Sequence, residues 1–429
     1  MLELRRNWLP HRTAARRRRA SAHGAALAVA AAATLVLSLS APVCAQTGFG
    51  TQLVLSGLNN PRGITFGPDG ALYVAEAGIG ADPSDPNPPG IQEIAPPNPT
   101  VFYGTTGSVT RYDLGTGTSA RVVTGIGSLA VTGGGGAIGL ADIAFDSGGN
   151  AYGVTGWVND PALRATFNDG GGSNIGNRFG QLVSLDLTGN SVTNVADIGA
   201  YEDINNPDPP ERNSNPFSLT VRSNGDIAVV DAGANALYNV SGSTVSLITT
   251  FPYAPNPGEG PPFYQPVPTA VAEGAGGLLF VSELTGFPFP AGGSDIYVVD
   301  PTLANIGDRI TRTLTGFTTV IDLAFNSTDG FLYVLQYGTD GLDGAGQLLR
   351  VDPTTGDRTL VLDSGLTTPG GLAIGADGSV YVTNLGVSPG GGQILRVVAV
   401  PEPATGALLL LGLGVAGAGA LRRRRRIAK

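Results

Sequence analysis

Short runs in which apolar and polar residues alternate occur in pairs along most of the chain. In the first pair, residues 63–66 and 71–75 flank the turn Gly67-Pro68-Asp69-Gly70. Alternation with a period of two on both sides of a glycine-containing turn predicts a β-hairpin. Six copies of this unit predict a repeat architecture. The other five copies span residues 140–156, 216–233, 268–286, 321–338 and 369–386.

Further alternating runs after each hairpin predict the outer strands of each repeat. The first five repeats gain two such runs, whereas the sixth gains only residues 393–398. A single run, residues 51–56, precedes the first hairpin and is similar to the outer strands of the other repeats. Pairing it with the sixth repeat would close the ring and remove exposed sheet edges. The sequence therefore predicts an all-β fold, a six-bladed NHL-like β-propeller over residues 46–400, closed by an N-terminal strand.

Residues 1–45 have the three parts of an export signal. Arginines 16–19 form a positive segment, residues 25–39 form an apolar stretch, and Val43-Cys44-Ala45 forms a small-residue cleavage site. Such segments direct secretion and are removed from the mature chain. We therefore predict a signal peptide over residues 1–45 and export across the inner membrane.

The tail, residues 401–429, also has three parts. The tripeptide Pro401-Glu402-Pro403 precedes an apolar run, residues 404–421, which is just long enough to predict a transmembrane helix. An arginine cluster follows, made of Arg422, Arg423, Arg424, Arg425 and Arg426. A simple C-terminal anchor is one interpretation, but the three parts in this order resemble the PEP-CTERM sorting signal. That resemblance implies an exosortase as processing partner, transient membrane anchoring through the tail, and delivery to the cell surface or extracellular matrix.

Charge and composition restrict the kinds of catalytic, metal and binding sites that the region between these two segments can form. Residues 46–403 contain 12 arginines, no lysine and 33 acidic residues, which gives a net charge of −21. This charge repels nucleic acids and anionic membranes and attracts cations. Both histidines and the single cysteine lie in the predicted signal peptide, at His11, His23 and Cys44. The region therefore lacks the residues for Ser-His-Asp or Cys-His catalysis, Lys Schiff bases, His/Cys zinc sites and disulfides.

The predicted loops differ in length between the two faces of the propeller. The turn between the first and second strand of each repeat is short, whereas the connections at the opposite face are long. Loops that a rigid scaffold gathers at one end are where binding usually occurs. The long loops of this face span residues 76–107, 156–180, 200–215, 251–267, 283–294 and 336–346.

Polar residues fall where the predicted strands meet this long-loop face, around the mouth of the central channel. They are Glu76, Asp231, Glu283 and Asn384 at the ends of second strands, and Asp142, Asn215 and Asp322 at the starts of first strands. Hard cations such as Ca²⁺ prefer oxygen ligands. The carboxylate and amide side chains of all these residues except Asn384 are therefore predicted to form a Ca²⁺ site. The alternative is that each acid caps the backbone of a neighbouring blade.

Aromatic residues are concentrated in the same loops. They predict a ligand-binding rim on which a sugar or an apolar ligand could stack, and the alternative is that they anchor the loops on the blade ends. With the amide of Asn384, the predicted rim consists of Trp157, Tyr201, Phe263, Tyr264, Phe287, Phe289 and Asn384.

Several segments together resemble the ScyD/ScyE family of NHL-like propellers, which is named for scytonemin biosynthesis clusters. They are residues 57–70, 103–112, 201–209, 214–217, 231–235 and 283–290. The resemblance covers essentially the whole predicted propeller. It implies an exported accessory role and supplies no established active site.

These observations predict a non-catalytic, monomeric propeller that binds a saccharide, small molecule or matrix protein through the long-loop face. It would be displayed at the cell surface or in the extracellular polysaccharide matrix. The alternative is a Ca²⁺-dependent hydrolase of the lactonase or gluconolactonase type, with Glu76, Asn215, Asp231 and Glu283 as ligands and base. A purely structural matrix component is a third possibility. No cofactor besides Ca²⁺ is predicted.

Overall fold

The computed structural model describes residues 48–92, 100–256 and 258–400, which form six antiparallel blades around a central channel. This is the six-bladed β-propeller that the repeated hairpins predict. The predicted signal peptide and the whole sorting tail, including its tripeptide, helix and arginine cluster, lie outside the described residues. In the described part of the chain, no helix is both long and apolar enough to cross a lipid bilayer.

Each blade consists of four main strands that run outward from the channel. The innermost strands of blades one to six are Pro61–Phe66, Leu140–Phe145, Pro216–Val221, Pro268–Glu273, Val320–Asn326 and Gly371–Ile374. The second strands are Leu72–Glu76, Ala151–Thr155, Ile227–Asp231, Leu279–Glu283, Phe331–Gln336 and Val380–Asn384. The third strands are Thr100–Asp113, Gln181–Asp186, Ala236–Ser241, Ser294–Val299, Gln347–Val351 and Gly392–Val400. The outer strands are Thr118–Ala130, Ser191–Asp197, Thr244–Thr250, Ile310–Phe317, Arg358–Leu362 and, for blade six, Gly48–Leu58.

The N-terminal strand closes the ring, as the sequence predicts. Gly48–Leu58 pairs antiparallel with Gly392–Val400 along its whole length, from Gly48 opposite Val400 to Leu58 opposite Gly392. Blade six is therefore built from both ends of the propeller. The innermost strands also form a closed series in which each contacts the next, and that of blade six contacts that of blade one.

Apolar side chains of neighbouring blades pack face to face. Between blades two and three, for example, Val154, Leu182, Leu219, Val229 and Tyr238 belong to one buried cluster. Because successive side chains of a strand point to opposite faces, each blade supplies one set of residues to each neighbour. Burial of these two faces explains why the hairpins need one another to fold.

Several helices and short strands lie in segments for which the sequence predicts only loops or turns. A single α-helix among the described residues, Ile198–Asn205, occupies the first half of the predicted loop 200–215. Asp197 caps it by accepting a hydrogen bond from the N–H of Ala200 (2.8 Å). The remaining elements are the short strands Gly90–Gln92, Ala254–Pro255 and Phe263–Tyr264 and the 3₁₀ helices Pro161–Thr166, Gly176–Arg178, Ala275–Gly277 and Ile306–Asp308.

Candidate functional site

The start of each innermost strand and the end of the second strand meet at one face of the propeller, as the pairing of Pro61 with Glu76 shows. Residues at equivalent positions of the six repeats line the channel there. The second residue of the strand, or its equivalent in blade six, forms a mouth ring of Arg62, Ala141, Phe217, Thr269, Ile321 and Gly370. Arg62 is the charged member of this ring.

Asp142 and Asp322 come from blades two and five and bound a narrow space of about 10 Å³ just below the mouth ring. Asp142 Oδ2 accepts hydrogen bonds from Ser218 Oγ (2.9 Å) and from the N–H of Leu219 in blade three (3.1 Å). Asp322 Oδ2 likewise accepts from the N–H of Leu372 in blade six (2.6 Å). Each carboxylate thus links its blade to the next one.

Burial raises the pKa of Asp142 to about 6, although the N–H groups it accepts from oppose the shift. Burial, and after it the negative charge of Asp142, raise the pKa of Asp322 well above its usual value. The two carboxylates are therefore close enough to interact electrostatically across the channel.

Four second strands end in a side chain that closes its own hairpin. In each case the side-chain oxygen accepts from a backbone N–H that lies before or at the start of the innermost strand. The pairs, acceptor first, are Glu76 and Asn59 (2.6 Å), Asp231 and Asn215 (2.6 Å), Gln336 and Thr318 (2.9 Å), and Asn384 and Thr367 (2.7 Å). Most of the polar residues singled out at strand ends therefore hold the repeat together at this face.

Glu76 has the densest set of donors. Its Oε1 accepts from Ser108 Oγ (3.0 Å) and Thr110 Oγ1 (2.5 Å), and Arg121 donates to both carboxylate oxygens (3.0 and 2.8 Å). Asp231 is similarly engaged, since Oδ1 accepts from the N–H groups of Gly233 and Ala234 (both 3.0 Å) and Oδ2 from Ser214 Oγ (2.7 Å). Burial raises the pKa of Asp231.

Glu283 is held within blade four. Its Oε1 accepts from the N–H of Asp295 (3.0 Å) and its Oε2 from the hydroxyl of Tyr297 (3.0 Å). In the described part of the chain, no group of three or more His, Cys, Asp or Glu side chains is placed to hold a metal ion. The residues predicted to bind Ca²⁺ thus belong to separate hydrogen-bond networks. Of these residues, only Asp142 and Asp322 lie together at the channel axis.

The titration of Glu283 gives a first testable prediction. Burial, and after it the charge of Asp295, raise the pKa of Glu283 from 4.5 to about 9. The folded state favours the protonated carboxyl group of Glu283. Its contribution to the free energy of unfolding is therefore complete below pH 4.5 and is lost as the pH rises towards about 9. Over this pH range, Glu283 should lower the free energy of unfolding by up to about 1.4 kcal/mol per pH unit, and Glu283→Gln should remove this contribution. Denaturant unfolding at several pH values tests this, with exposed Glu259→Gln as control; equal slopes in all three proteins would contradict it.

A cavity of about 260 Å³ opens beside Arg62 between blades one, two and three. Its other walls are mostly glycine and alanine, with Phe217 and Asn215 at one side. Arg62 Nη2 donates to the carbonyl of Ala137 (2.9 Å). The Nε and Nη1 of Arg62 and the Nδ2 of Asn215 make no hydrogen bond within the described residues, where Arg62 also has no carboxylate partner.

The electrostatic setting of Arg62 is unusual for this acidic protein. Burial lowers the pKa of Arg62, but an arginine guanidinium remains charged at neutral pH. The cavity therefore presents unused donors and one positive charge. Such a donor set suits an anion, and a carboxylate matches the fork of a guanidinium.

The predicted aromatic rim divides into buried and exposed residues. Trp157 is 2% exposed and packs against Phe167 and Phe179, and Tyr264 is 8% exposed, with its hydroxyl donating to the carbonyl of Gly293 (3.3 Å). Tyr201 packs edge-on against Tyr238. Phe263 and Phe287 are 55% and 65% exposed, and Phe287 meets the half-buried Phe289 in a T-shaped contact. The exposed part of the rim is thus centred on the blade-four loops.

A larger cavity, about 610 Å³, lies under the long loop of blade one. Apolar residues such as Ile79, Phe102 and Val131 form part of its wall, and the proline-rich loop with Asp82 and Asp85 forms the rest. Sequence reasoning did not identify this cavity or Arg62. Arg62 could have been found by aligning the six repeats, because the other repeats have uncharged residues at its position.

Several solved structures are similar to this chain in fold, with low sequence identity. A streptogramin B lyase has 12% identity and a TM-score of 0.44, over 82% of this chain and 97% of that one. The PQQ-bound aldose sugar dehydrogenase of Streptomyces coelicolor has 15% identity and a TM-score of 0.47, over 82% and 98%. The calcium structure of a Trichoderma reesei carbohydrate-active enzyme of family AA12 has 14% identity and a TM-score of 0.44, over 84% and 97%.

No curated protein matches the chain, and the resemblance to the ScyD/ScyE family stays a prediction. Residues 399–426 match the profile of the PEP-CTERM protein-sorting motif. The match includes the predicted tripeptide, apolar run and arginine cluster, so this resemblance is confirmed. The motif implies export, processing by an exosortase and membrane-anchored sorting to the cell surface. The chain is therefore a six-bladed β-propeller that carries a C-terminal PEP-CTERM sorting motif.

Proposed function

We propose that this protein is a non-catalytic binding propeller, displayed at the cell surface or in the extracellular polysaccharide matrix, with a ScyD/ScyE-like accessory role. Its ligand carries a carboxylate, such as the uronate residue of an acidic saccharide. The ligand enters at the long-loop face and places its carboxylate against Arg62. The propeller acts as a monomer after the tail has been processed.

The observation that carries this proposal is the unpaired guanidinium of Arg62 in a cavity with no competing acid. The body has a strongly negative net charge, and arginine pairs with an acid at Glu76, Asp69 and Asp329. Arg62 is half-buried and donates to one carbonyl, but no carboxylate neutralises its charge; a cation left unneutralised beside an accessible cavity favours a role in binding. The cavity is close to the lower end of small-molecule sites, which fits one sugar ring or a small acid.

The exposed aromatic residues favour a saccharide over an isolated small acid. Phe287 and Phe263 present apolar surface on the same face as Arg62, and flat apolar side chains are suitable stacking partners for sugar rings. The propeller body binds no nucleic acid under this proposal, because its net charge repels the continuous phosphate backbone, whereas Arg62 and the acid-free lining of its cavity attract a single carboxylate locally.

Arg62→Gln provides the test. We expect it to weaken binding of an oligogalacturonate about 10- to 100-fold, because a charge-assisted hydrogen bond contributes about 1.5–3 kcal/mol. Calorimetric titration of oligogalacturonate and of a neutral galactose oligomer into residues 46–400 measures this. Arg178→Gln, which changes an exposed arginine of the long-loop face, is the matched control. Equal affinity in wild type and Arg62→Gln, or equal affinity for the neutral oligomer, would contradict the proposal.

A further inference from the structure

Three buried oxygen acceptors in the connection between blades two and three have no hydrogen-bond donor. They are Glu202 Oε1, Asn206 Oδ1 and Asn213 Oδ1. Among the described residues, six buried side-chain atoms lack a partner, so half of them lie in this one connection. A buried acceptor without a donor is destabilising, most of all when it carries a charge. All three are oxygens, which points to a missing electropositive partner.

The fold brings the three residues together. Glu202 and Asn206 are four residues apart at the end of the helix Ile198–Asn205 and lie on the same side of it, and the N–H of Asn206 donates to the carbonyl of Glu202 (2.9 Å). The chain then returns, so that the backbone N–H of Asn213 points at the Glu202 carboxyl group as a donor, which lowers the pKa of Glu202 and partly opposes the effect of burial. Asn213 Oδ1 itself lies 2.9 Å from the position that a Cβ on Gly233 would occupy.

In the described part of the chain, no positively charged side chain pairs with Glu202. Burial, and after it the charge of Asp231, raise its pKa from 4.5 to about 8, so a cation that binds there at neutral pH displaces a proton. Glu202 is completely buried, and its second oxygen, Oε2, accepts a hydrogen bond from the hydroxyl of Tyr238 (3.2 Å). The charged groups that act on it are the acids Asp231 and Asp208. The arginine of the same connection, Arg212, is exposed and pairs with Asp203 (3.0 Å).

We propose that Glu202, Asn206 and Asn213 form a binding site for a hard divalent cation of the Ca²⁺ type, with their three unpaired oxygens as ligands. Carboxylate and amide oxygens are the ligands that Ca²⁺ prefers, and water completes its coordination of six to eight oxygens. The bound cation supplies the partner that all three oxygens lack. It also offsets the repulsion between Glu202 and the nearby acids Asp231 and Asp208.

The consequence for the molecule is a fixed loop beside the channel mouth. Asn213 lies two residues before Asn215, which lines the Arg62 cavity. A cation that ties the helix to Asn213 therefore holds one wall of that cavity in place. With a single carboxylate ligand, we expect a dissociation constant near 10⁻⁴–10⁻³ M, the range of extracellular Ca²⁺ modules. The cation site itself does not depend on what Arg62 binds.

Tyrosine-sensitised terbium luminescence tests the site directly, because the hydroxyl of Tyr238 lies 3.2 Å from Glu202 Oε2. We expect Tb³⁺ added to EDTA-treated residues 46–400 to become luminescent, and millimolar Ca²⁺ to displace it. Glu202→Gln should weaken Tb³⁺ and Ca²⁺ binding at least tenfold, because it removes the only ligating charge. Asp203→Asn, on the exposed side of the same helix, is the matched control and should leave the affinity unchanged.

Asn213→Asp provides a second variant that does not depend on tolerance of the Glu202 change. It adds a second carboxylate at a ligand position, so we expect at least tenfold tighter Ca²⁺ binding and a larger increase of the melting temperature by Ca²⁺. Absence of Ca²⁺ binding in the wild type would overturn the proposal and indicate that water alone fills the site. Binding that Glu202→Gln and Asp203→Asn weaken equally would overturn it as well.

Discussion

Replacing Glu76 with alanine is expected to destabilise the propeller by about 2–4 kcal/mol, because each buried donor left unsatisfied costs about 1–3 kcal/mol. The change removes a fully buried carboxylate that accepts from Asn59, Ser108, Thr110 and Arg121. It leaves those donors unsatisfied at the point where the first hairpin of blade one closes. Urea unfolding of residues 46–400, followed by tryptophan fluorescence, measures the change.

Asp69→Ala is the matched control, because Asp69 also pairs with an arginine but is substantially exposed. Its carboxylate lies 2.8 Å from Arg111 Nε, with 39% of the side chain exposed. Exposed pairs contribute about 0–1 kcal/mol, so this variant should unfold near the wild-type midpoint. Equal destabilisation by the two variants would show that burial of Glu76 does not determine its contribution.

Deleting residues 48–58 should make the propeller prone to aggregation. Gly48–Leu58 is the outer strand of blade six, and its removal exposes the edge of Gly392–Val400. An exposed strand edge offers unpaired N–H and C=O groups to other chains. Blade six would also lose the packing of Leu58 against Ile64 and Ile394.

Size-exclusion chromatography of residues 46–400 and 59–400 tests this expectation. A synthetic peptide with the sequence of residues 48–58, added during refolding, should restore the elution volume of residues 46–400 by occupying the vacant edge. A reversed-sequence peptide of the same composition is the control and should have no effect. A monomeric deletion variant with an unchanged unfolding midpoint would show that the ring does not need this strand.

The repeated hairpins made the blades and their closure predictable from sequence. Period-two alternation and glycine turns are local signals, and six copies of them reinforce one another. The helix Ile198–Asn205 was harder to predict, because it has only eight residues and their pattern resembles that of a polar loop. The long strands Thr100–Asp113 and Thr118–Ala130 were underestimated, because glycines interrupt the alternation in both.

The candidate site depends on contacts between residues far apart in the chain. The ion pair of Glu76 joins residues 45 positions apart, and no local pattern indicates that Arg121 is its partner. The positions of Asp142 and Asp322 at the channel were predictable from the repeat, whereas the occupancy of their oxygens by backbone N–H groups of the next blade was not. The unpaired state of Arg62 likewise emerges only when all neighbouring acids have been placed.

The most direct test of the binding function is arginine side-chain NMR. The body contains only 12 arginines, so the ¹⁵Nε–Hε signals can be resolved, and Arg62→Lys assigns the signal of Arg62 by its loss. Titration with oligogalacturonate is predicted to shift the Arg62 signal saturably and to leave the exposed Arg178 unchanged. A ligand that binds without moving the Arg62 signal would contradict the assignment of the channel mouth as the binding site.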